Sequence, residues 1–181
     1  MRPYCSIWMV STPRAAPWQQ FPIYISTAHT NTHLARLGTL IDSTTAIISY
    51  WTRFGLAHNI SPQLILSTSP GVRSIDVVSL YAPELANWTY ISRVEGEIPY
   101  RADSNAVHVP GALKLVSEIE KLAGPKGWAI VTSGTRGLAE GWLETMKFPV
   151  PKVFVTAERV GRGKPDPEGK LPPQNNQFSG G

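Results

Sequence analysis

WAIVTSGTRGLAEGWL, residues 128–143, places a short apolar run directly before a glycine turn and an amphipathic segment. The run at residues 128–132 is typical of a buried strand. Gly134 can form the turn, and Thr135 is a suitable N-cap for a helix. The core face of that helix is formed by apolar side chains at helical spacing: Leu138, Ala139, Trp142, Leu143 and Met146. The segment therefore predicts a strand–turn–helix unit.

A predicted helix precedes this segment, and a predicted strand follows it. Residues 112–122 have one apolar face (Ala112, Leu115, Val116, Ile119 and Leu122) and end at Gly124-Pro125, which predicts a helix. Residues 153–156 predict a second short strand. Helix, strand, helix and strand with short connections predict the α/β class with a parallel sheet.

Residues 43–105 have a different pattern, which predicts only helices. Helices are expected at residues 43–57, from Ser61-Pro62 onward, at 74–80 and at 86–94. In the first of these, Ile47, Ile48, Trp51 and Phe54 form the expected apolar face. The chain thus consists of a helical insert followed by α/β units.

Two loops carry residues suited to binding an anion. Residues 131–135 join a strand to a helix N-terminus, where backbone N–H groups and the helix dipole favour negative charge. Lys164 lies between glycine and proline in GRGKPDP, residues 161–167, so that its cation is held in a rigid loop. Each loop alone also has an ordinary structural explanation, as a common helix cap or a solvated lysine.

Composition excludes several classes of protein. The net charge of +4 includes +3 from residues 1–41, which contain three arginines and no acidic residue. The remainder is nearly neutral and lacks a basic stripe, so nucleic-acid binding is not expected. No apolar run approaches the length of a membrane span. The single cysteine, Cys5, excludes an internal disulfide and fits a reducing compartment.

Several phrases, in order, resemble the haloacid-dehalogenase superfamily of phosphatases. They are GTLIDST (38–44), GVRSIDVV (71–78), VPGAL (109–113), the opening stretch, and VFVTAERVGRGKPDPEG (153–169). Within the superfamily, the sequence is most similar to the fungal glycerol-3-phosphatase and 2-deoxyglucose-6-phosphate phosphatase group.

The resemblance implies a Rossmann-like α/β core with an inserted helical cap. It divides the chain into an irregular leader (1–36), a partial core (37–42 and 109–170), a cap (43–108) and a disordered tail (171–181). It implies an aspartyl-phosphate mechanism on a small sugar or polyol phosphate, assisted by Mg²⁺.

The resemblance also assigns roles to residues. Thr132 matches the hydroxyl that contacts the phosphoryl group, with Ser133 and Gly134 beside it as substrate-binding residues. Lys164 matches the lysine that stabilises the developing charges. Arg73 lies in the cap phrase that faces the active site, although a solvated helix charge is an equal alternative.

The match departs from the family pattern at both ends. Ala35 and Leu37 stand where the family has its nucleophile and acid/base aspartates. The acidic motif that binds Mg²⁺ has no counterpart before Gly181, so this chain is not expected to bind Mg²⁺. We interpret both ends as foreign, arising from unspliced or mis-joined coding sequence or from an alternative transcript, and expect the domain to be truncated, with open sheet edges.

Two functions follow from these features. The chain is either an inactive version of a sugar- or polyol-phosphate phosphatase, or a non-catalytic module that binds a phosphorylated ligand or a protein. The expected partner is a small phosphorylated metabolite, with neither nucleic acid nor membrane. The expected location is the cytoplasm, or the mitochondrion if the acid-free leader is a transit peptide.

Overall fold

The computed structural model describes residues 7–9, 40–123 and 128–163. In these parts it contains six α-helices: α1 (Thr44–Ala57), α2 (Pro62–Thr68), α3 (Ser74–Tyr81), α4 (Trp88–Glu97), α5 (Ala112–Ala123) and α6 (Arg136–Thr145). Short 3-10 turns occur at Pro83–Leu85, Ile98–Tyr100 and Ala157–Arg159. All six helices were predicted from the sequence. The largest difference is at α4, which ends three residues later than expected and begins two residues later, because Asn87 caps it by accepting from Tyr90 N at 2.9 Å.

Five strands are described: β1 (Ile7–Met9), β2 (Ile41–Asp42), β3 (Val107–His108), β4 (Ala129–Thr132) and β5 (Val153–Val155). β4 and β5 are parallel neighbours, with Ile130 opposite Phe154. They are joined through α6, because parallel strands need a crossover connection between them, and here a helix provides it. The predicted α/β class with a helical insert is confirmed.

The helical insert is joined to the rest of the chain by two paired segments. β2 precedes α1 and β3 follows α4, and the two strands pair antiparallel, with Asp42 opposite Val107. Val109 N donates to Leu40 O at 3.0 Å, which extends the pairing by one bond. Helices α1–α4 are therefore enclosed between two adjacent strands. We call the segment between β2 and β3, which contains these four helices, the cap.

β1 was not predicted. It pairs antiparallel with β4, with Trp8 opposite Val131, so β4 is the central strand of the order β1-β4-β5. Three residues are too few to show the alternation that identifies a strand in a sequence. Because β1 covers one edge of β4, that edge is not open as the sequence predicted.

Apolar side chains from the cap and the α/β units form one continuous core. It includes Trp51 of α1, Ile91 of α4, Ile130 of β4 and Trp142 of α6, all at most 3% exposed. The predicted face of α6 is confirmed, since four of its five residues are buried and Met146 is partly buried.

The predicted apolar faces of two other helices are only partly correct. On α5, Val116 is fully buried, but Leu115 is 42% and Leu122 is 81% exposed. On α1, Ile48 is 38% exposed. Helical periodicity marks which side of a helix is apolar, but the neighbours that cover it are set by the tertiary structure. Within the described residues, no helix has the length and apolar character needed to cross a membrane.

Candidate phosphate-binding site

The turn after β4 is fixed by its own hydroxyl groups. Thr132 Oγ1 accepts a hydrogen bond from Gly134 N at 3.0 Å. Thr135 caps α6, because its side-chain oxygen accepts from Leu138 N at 3.3 Å. Thr132 is 5% and Thr135 1% exposed. The predicted strand–turn–helix unit is confirmed, and Thr132 lies at the carboxyl end of a parallel strand, where α/β proteins bind ligands.

Two carboxylates of the chain occupy the N-terminus of α6. Glu95 Oε2, from α4, accepts from Thr135 N at 2.7 Å. Glu158 Oε1, from the turn after β5, accepts from Arg136 N at 2.9 Å. The sequence left two explanations open for this turn, an anion site or an ordinary helix cap, and at Thr135 and Arg136 the N–H groups are bonded to carboxylates of the chain itself. The helix dipole and its first N–H groups attract negative charge, and in this fold that charge comes from within the protein.

Glu95 is almost completely buried, at 4% exposure. Its second oxygen, Oε1, accepts from the Ser74 hydroxyl at the start of α3. Burial raises the pKa of the Glu95 carboxyl, and the hydrogen bonds from Ser74 and Thr135 partly oppose that rise. Glu95 thus connects two cap helices to the turn that carries Thr132.

A second loop lies beside this turn. Ala157, just after β5, donates its N–H to Gly134 O at 3.0 Å. The loop continues through Val160 and Gly161 toward Lys164. Lys164 lies outside the described residues, so its predicted catalytic role stays a prediction. The loop that leads to it is nevertheless bonded directly to the turn after β4.

A third segment, from the cap, covers both loops. Ser133 Oγ donates to Gly71 O at 3.1 Å, which joins the turn after β4 to the start of the GVRSIDVV phrase. Gly71 has φ +76°, a left-handed conformation that glycine adopts without strain. Ser133 is therefore turned toward the cap, and Gly134 toward the loop after β5.

Arg73 joins this cap segment to the loop after β5. Its guanidinium forms a bidentate pair with Asp76, at 2.7 and 2.8 Å. Nη1 donates to Val160 O at 2.7 Å, and the ring of Trp88 lies 5.9 Å from the guanidinium carbon. At 8% exposure, Arg73 is not a solvated helix charge. Its predicted contact with substrate stays a prediction, and the structure adds a bonded role between cap and core.

Glu95 and Glu158 were not predicted as members of the site. Glu95 did have a signal, since it lies four residues after Ile91 and three before Ile98, both buried. An acid on the apolar face of a helix indicates a buried carboxylate with partners. Glu158 had no such signal, because its partner Arg136 is 22 residues away on another element.

The Mg²⁺ that the family resemblance implies does not fit the described residues. Among them, no three His, Cys, Asp or Glu side chains lie close enough together to hold a metal ion. Asp42, in the GTLIDS phrase, accepts instead from Thr44 N at 3.1 Å, at the start of α1. Ala35 and Leu37 lie outside the described residues.

Comparison with known proteins supports a phosphatase relationship. No protein-family profile matches the chain. Over 139 residues it is 38% identical to glycerol-1-phosphate phosphohydrolase 2 of Saccharomyces cerevisiae, a match that covers 76% of this chain and 55% of the yeast protein. It is 34% identical to 2-deoxyglucose-6-phosphate phosphatase 2 of the same yeast, over 73% of this chain and 58% of that protein.

Bacterial proteins are also similar. Hexitol phosphatase A of Escherichia coli is 34% identical over 74% of this chain and 62% of its own length. A haloacid dehalogenase-like hydrolase from Bacteroides fragilis matches in structure with a TM-score of 0.48 and 22% identity, over 72% of this chain and 64% of that one.

These sequence matches confirm the predicted resemblance to the fungal glycerol-phosphate and 2-deoxyglucose-6-phosphate phosphatases, over about three quarters of this chain. The similarity includes both the glycerol-phosphate and the 2-deoxyglucose-phosphate enzymes of yeast. The chain spans only a little over half the length of these yeast relatives.

Proposed function

We propose that this chain binds the phosphate group of a small sugar or polyol phosphate at the turn after β4, without hydrolysing it as the sequence stands. The observation that carries the proposal is the meeting of three segments. The turn at residues 132–135, the loop at 157–163 and the cap segment at 71–76 are joined by direct hydrogen bonds.

Two of the three segments offer a group suited to phosphate, and the third, from the cap, covers them. Thr132 brings a hydroxyl to the carboxyl end of β4, beside Ser133, whose own hydroxyl donates to Gly71 O, and the loop after β5 leads in sequence to the cation of Lys164. A phosphate dianion needs both hydrogen-bond donors and positive charge, and water is excluded where the cap covers the two loops. The N–H groups of Thr135 and Arg136 do not contribute, because Glu95 and Glu158 already occupy them.

The relatives supply the proposed ligand class. Their names specify glycerol phosphate, hexitol phosphate and 2-deoxyglucose 6-phosphate, all small phosphate esters of hydroxylated carbon chains. Hydrolysis is not proposed for this chain, because Ala35 and Leu37 cannot attack phosphorus or transfer a proton. A cytoplasmic location is compatible with such metabolites and stays a prediction.

Thermal stabilisation and phosphate release together test this proposal. The full chain is incubated with inorganic phosphate, glycerol 1-phosphate and 2-deoxyglucose 6-phosphate, each with and without Mg²⁺. We expect a concentration-dependent rise in melting temperature and no release of phosphate from the esters. Turnover would contradict the proposed lack of hydrolysis, and no stabilisation by any of the three compounds would contradict phosphate binding.

A pair of threonine variants locates the site. Thr132→Val removes the hydroxyl at the end of β4, and Thr89→Val makes the same change at an exposed position of α4. Loss of phosphate-dependent stabilisation is expected in Thr132→Val alone. Equal stabilisation of both variants would place the phosphate elsewhere.

A further inference from the structure

A small cavity lies between the cap and the turn after β4. Its volume is about 30 Å³. The cap side includes Tyr50 and Ser69, and the opposite side includes Ser133 and Gly134. The cavity is therefore directly adjacent to two residues predicted to bind substrate.

Two hydroxyl groups that line this cavity lack hydrogen-bond partners among the described residues. They are Tyr50 Oη and Ser69 Oγ. Tyr50 is 8% and Ser69 5% exposed, so bulk water does not reach either side chain freely. Buried hydroxyls are almost always hydrogen-bonded, because an unmade bond is unfavourable. Both groups therefore indicate an occupant that bonds to them.

The walls define the chemistry of that occupant. Ile47, Trp51 and Leu138 contribute apolar surface, which disfavours a charged group. The Glu95 carboxyl lines the same cavity, so an anionic occupant would lie close to another acidic group and is disfavoured. Burial, and then the charge of Glu95, raise the pKa of Tyr50, so its hydroxyl remains a neutral donor.

The volume of the cavity further limits which groups can occupy it. One water molecule needs roughly 10–15 Å³ of such space, so about 30 Å³ accommodates one or two oxygen atoms but no phosphate group. A cation is disfavoured because, within the described residues, no cluster of three metal-binding side chains exists. The occupant that fits is a neutral hydroxyl oxygen, which both donates and accepts.

We propose that this cavity is a subsite for a hydroxyl group on the carbon chain of the phosphate ligand, held by Tyr50 and Ser69. The inference rests on the proposed function, because Ser133 and Gly134 border the cavity and also belong to the candidate phosphate site. A phosphate ester with a hydroxyl a few bonds from phosphorus can address both places. The subsite thus selects polyol and sugar phosphates over plain alkyl phosphates, and water fills it when no ligand is bound.

Calorimetric titration of the full chain tests this subsite. The three probes are glycerol 1-phosphate, n-propyl phosphate and inorganic phosphate, each titrated with and without Mg²⁺. Propyl phosphate has the same number of carbons as glycerol phosphate and no free hydroxyl. We expect glycerol phosphate to bind about tenfold more tightly than propyl phosphate, because one or two neutral hydrogen bonds contribute a difference in affinity of this size.

Two variants remove one hydroxyl each. In Tyr50→Phe and in Ser69→Ala, the preference is expected to fall below about threefold. The affinity for inorganic phosphate is expected to stay unchanged in both. Tyr81→Phe is the matched control, since Tyr81 Oη bonds to Thr68 Oγ1 at 3.0 Å outside the cavity. Circular dichroism and melting temperature confirm that each variant is folded. If only one of the two variants folds, its binding preference alone tests the subsite.

Two results would overturn the subsite while the proposed function stands. One is equal affinity of the wild-type chain for glycerol and propyl phosphates. The other is a preference that survives in Tyr50→Phe and Ser69→Ala. Both would mean that the cavity holds only structural water. Failure of inorganic phosphate and of both esters to bind would instead overturn the proposed function, and the subsite with it.

Discussion

The Glu95 carboxylate accepts a hydrogen bond from Thr135 N at 2.7 Å, across a sequence separation of 40 residues. This bond joins helix α4 of the cap to the first turn of α6. The other carboxylate oxygen of Glu95 accepts from the Ser74 hydroxyl at the start of α3. One buried side chain therefore fixes two cap helices relative to the turn that carries Thr132.

Removing the Glu95 carboxylate should destabilise the fold. In Glu95→Ala, the buried Thr135 N–H and Ser74 hydroxyl lose their acceptor, and unsatisfied buried groups cost about 1–3 kcal/mol each. Glu95→Gln should retain most of the free energy of unfolding, because the amide oxygen can accept from Thr135 N while its NH₂ donates to Ser74. Urea unfolding measures both. Equal stability of the Ala and Gln variants would show that these bonds contribute little.

The pKa of Glu95 makes a distinct prediction about pH. Burial raises it above the ordinary value of 4.5, so the folded state binds this proton more tightly than the unfolded chain does. The contribution of Glu95 to stability is therefore fully present below about pH 4.5 and is lost as the pH rises through the folded pKa. Residue 95 cannot titrate in Glu95→Gln, so the free energy of unfolding of this variant should decline less as the pH rises above about 4.5. Parallel pH profiles of the two proteins would refute this.

The Arg73 guanidinium should hold the cap segment on the loop after β5. Arg73→Lys keeps the charge but cannot form the bidentate pair with Asp76 together with the bond to Val160 O. We expect a loss of about 1–3 kcal/mol in unfolding free energy and faster proteolysis within residues 157–163. Arg93→Lys is the matched control, because the Arg93 side chain is 61% exposed. An equal effect of both substitutions would argue against the joining role.

Close packing between the cap and α6 depends on Gly141. A Cβ atom there would lie 2.9 Å from Pro99 Cγ and 3.1 Å from Tyr100 Cε2. Overpacking of this kind costs about 1–3 kcal/mol, so Gly141→Ala should lower the free energy of unfolding by that amount.

Gly96→Ala provides the contrast for Gly141→Ala. Its nearest neighbour would be Gly137 Cα at 3.9 Å, an ordinary contact. Because alanine favours a helix over glycine, Gly96→Ala should be neutral or stabilise by up to about 1 kcal/mol. Thermal denaturation of the two variants measures the difference, and equal destabilisation would show that the space at residue 141 is not limiting.

Much of the fold could be predicted because its signals are local. The apolar face of α6, the Ser61-Pro62 start of α2 and the cap at Thr135 each depend on residues within one or two turns of a helix. The strand β1 could not be predicted, since its pairing partner β4 lies more than 120 residues away. The exposure of Leu115 and Leu122 likewise depends on which neighbours the fold provides.

The candidate site was predicted in part for the same reason. Motif resemblance located Thr132, Ser133 and Gly134 and the cap segment that contains Arg73. It did not show that Glu95 and Glu158 occupy the N-terminus of α6, nor that Arg73 is bonded to the loop after β5. These bonds connect residues 22 to 87 positions apart, and no short-range pattern encodes them.

The sequence by itself determined the six helices, the strands β4 and β5, the order of helical insert and α/β units, and the resemblance to phosphatases. These follow from periodicity, caps and motifs, which act over a few residues. Only the tertiary structure decided which polar groups pair in the interior. Burial makes each unpaired group unfavourable, so the fold brings Glu95 to Thr135 and Arg73 to Val160. The tertiary structure also places the hydroxyls of Tyr50 and Ser69 in one cavity.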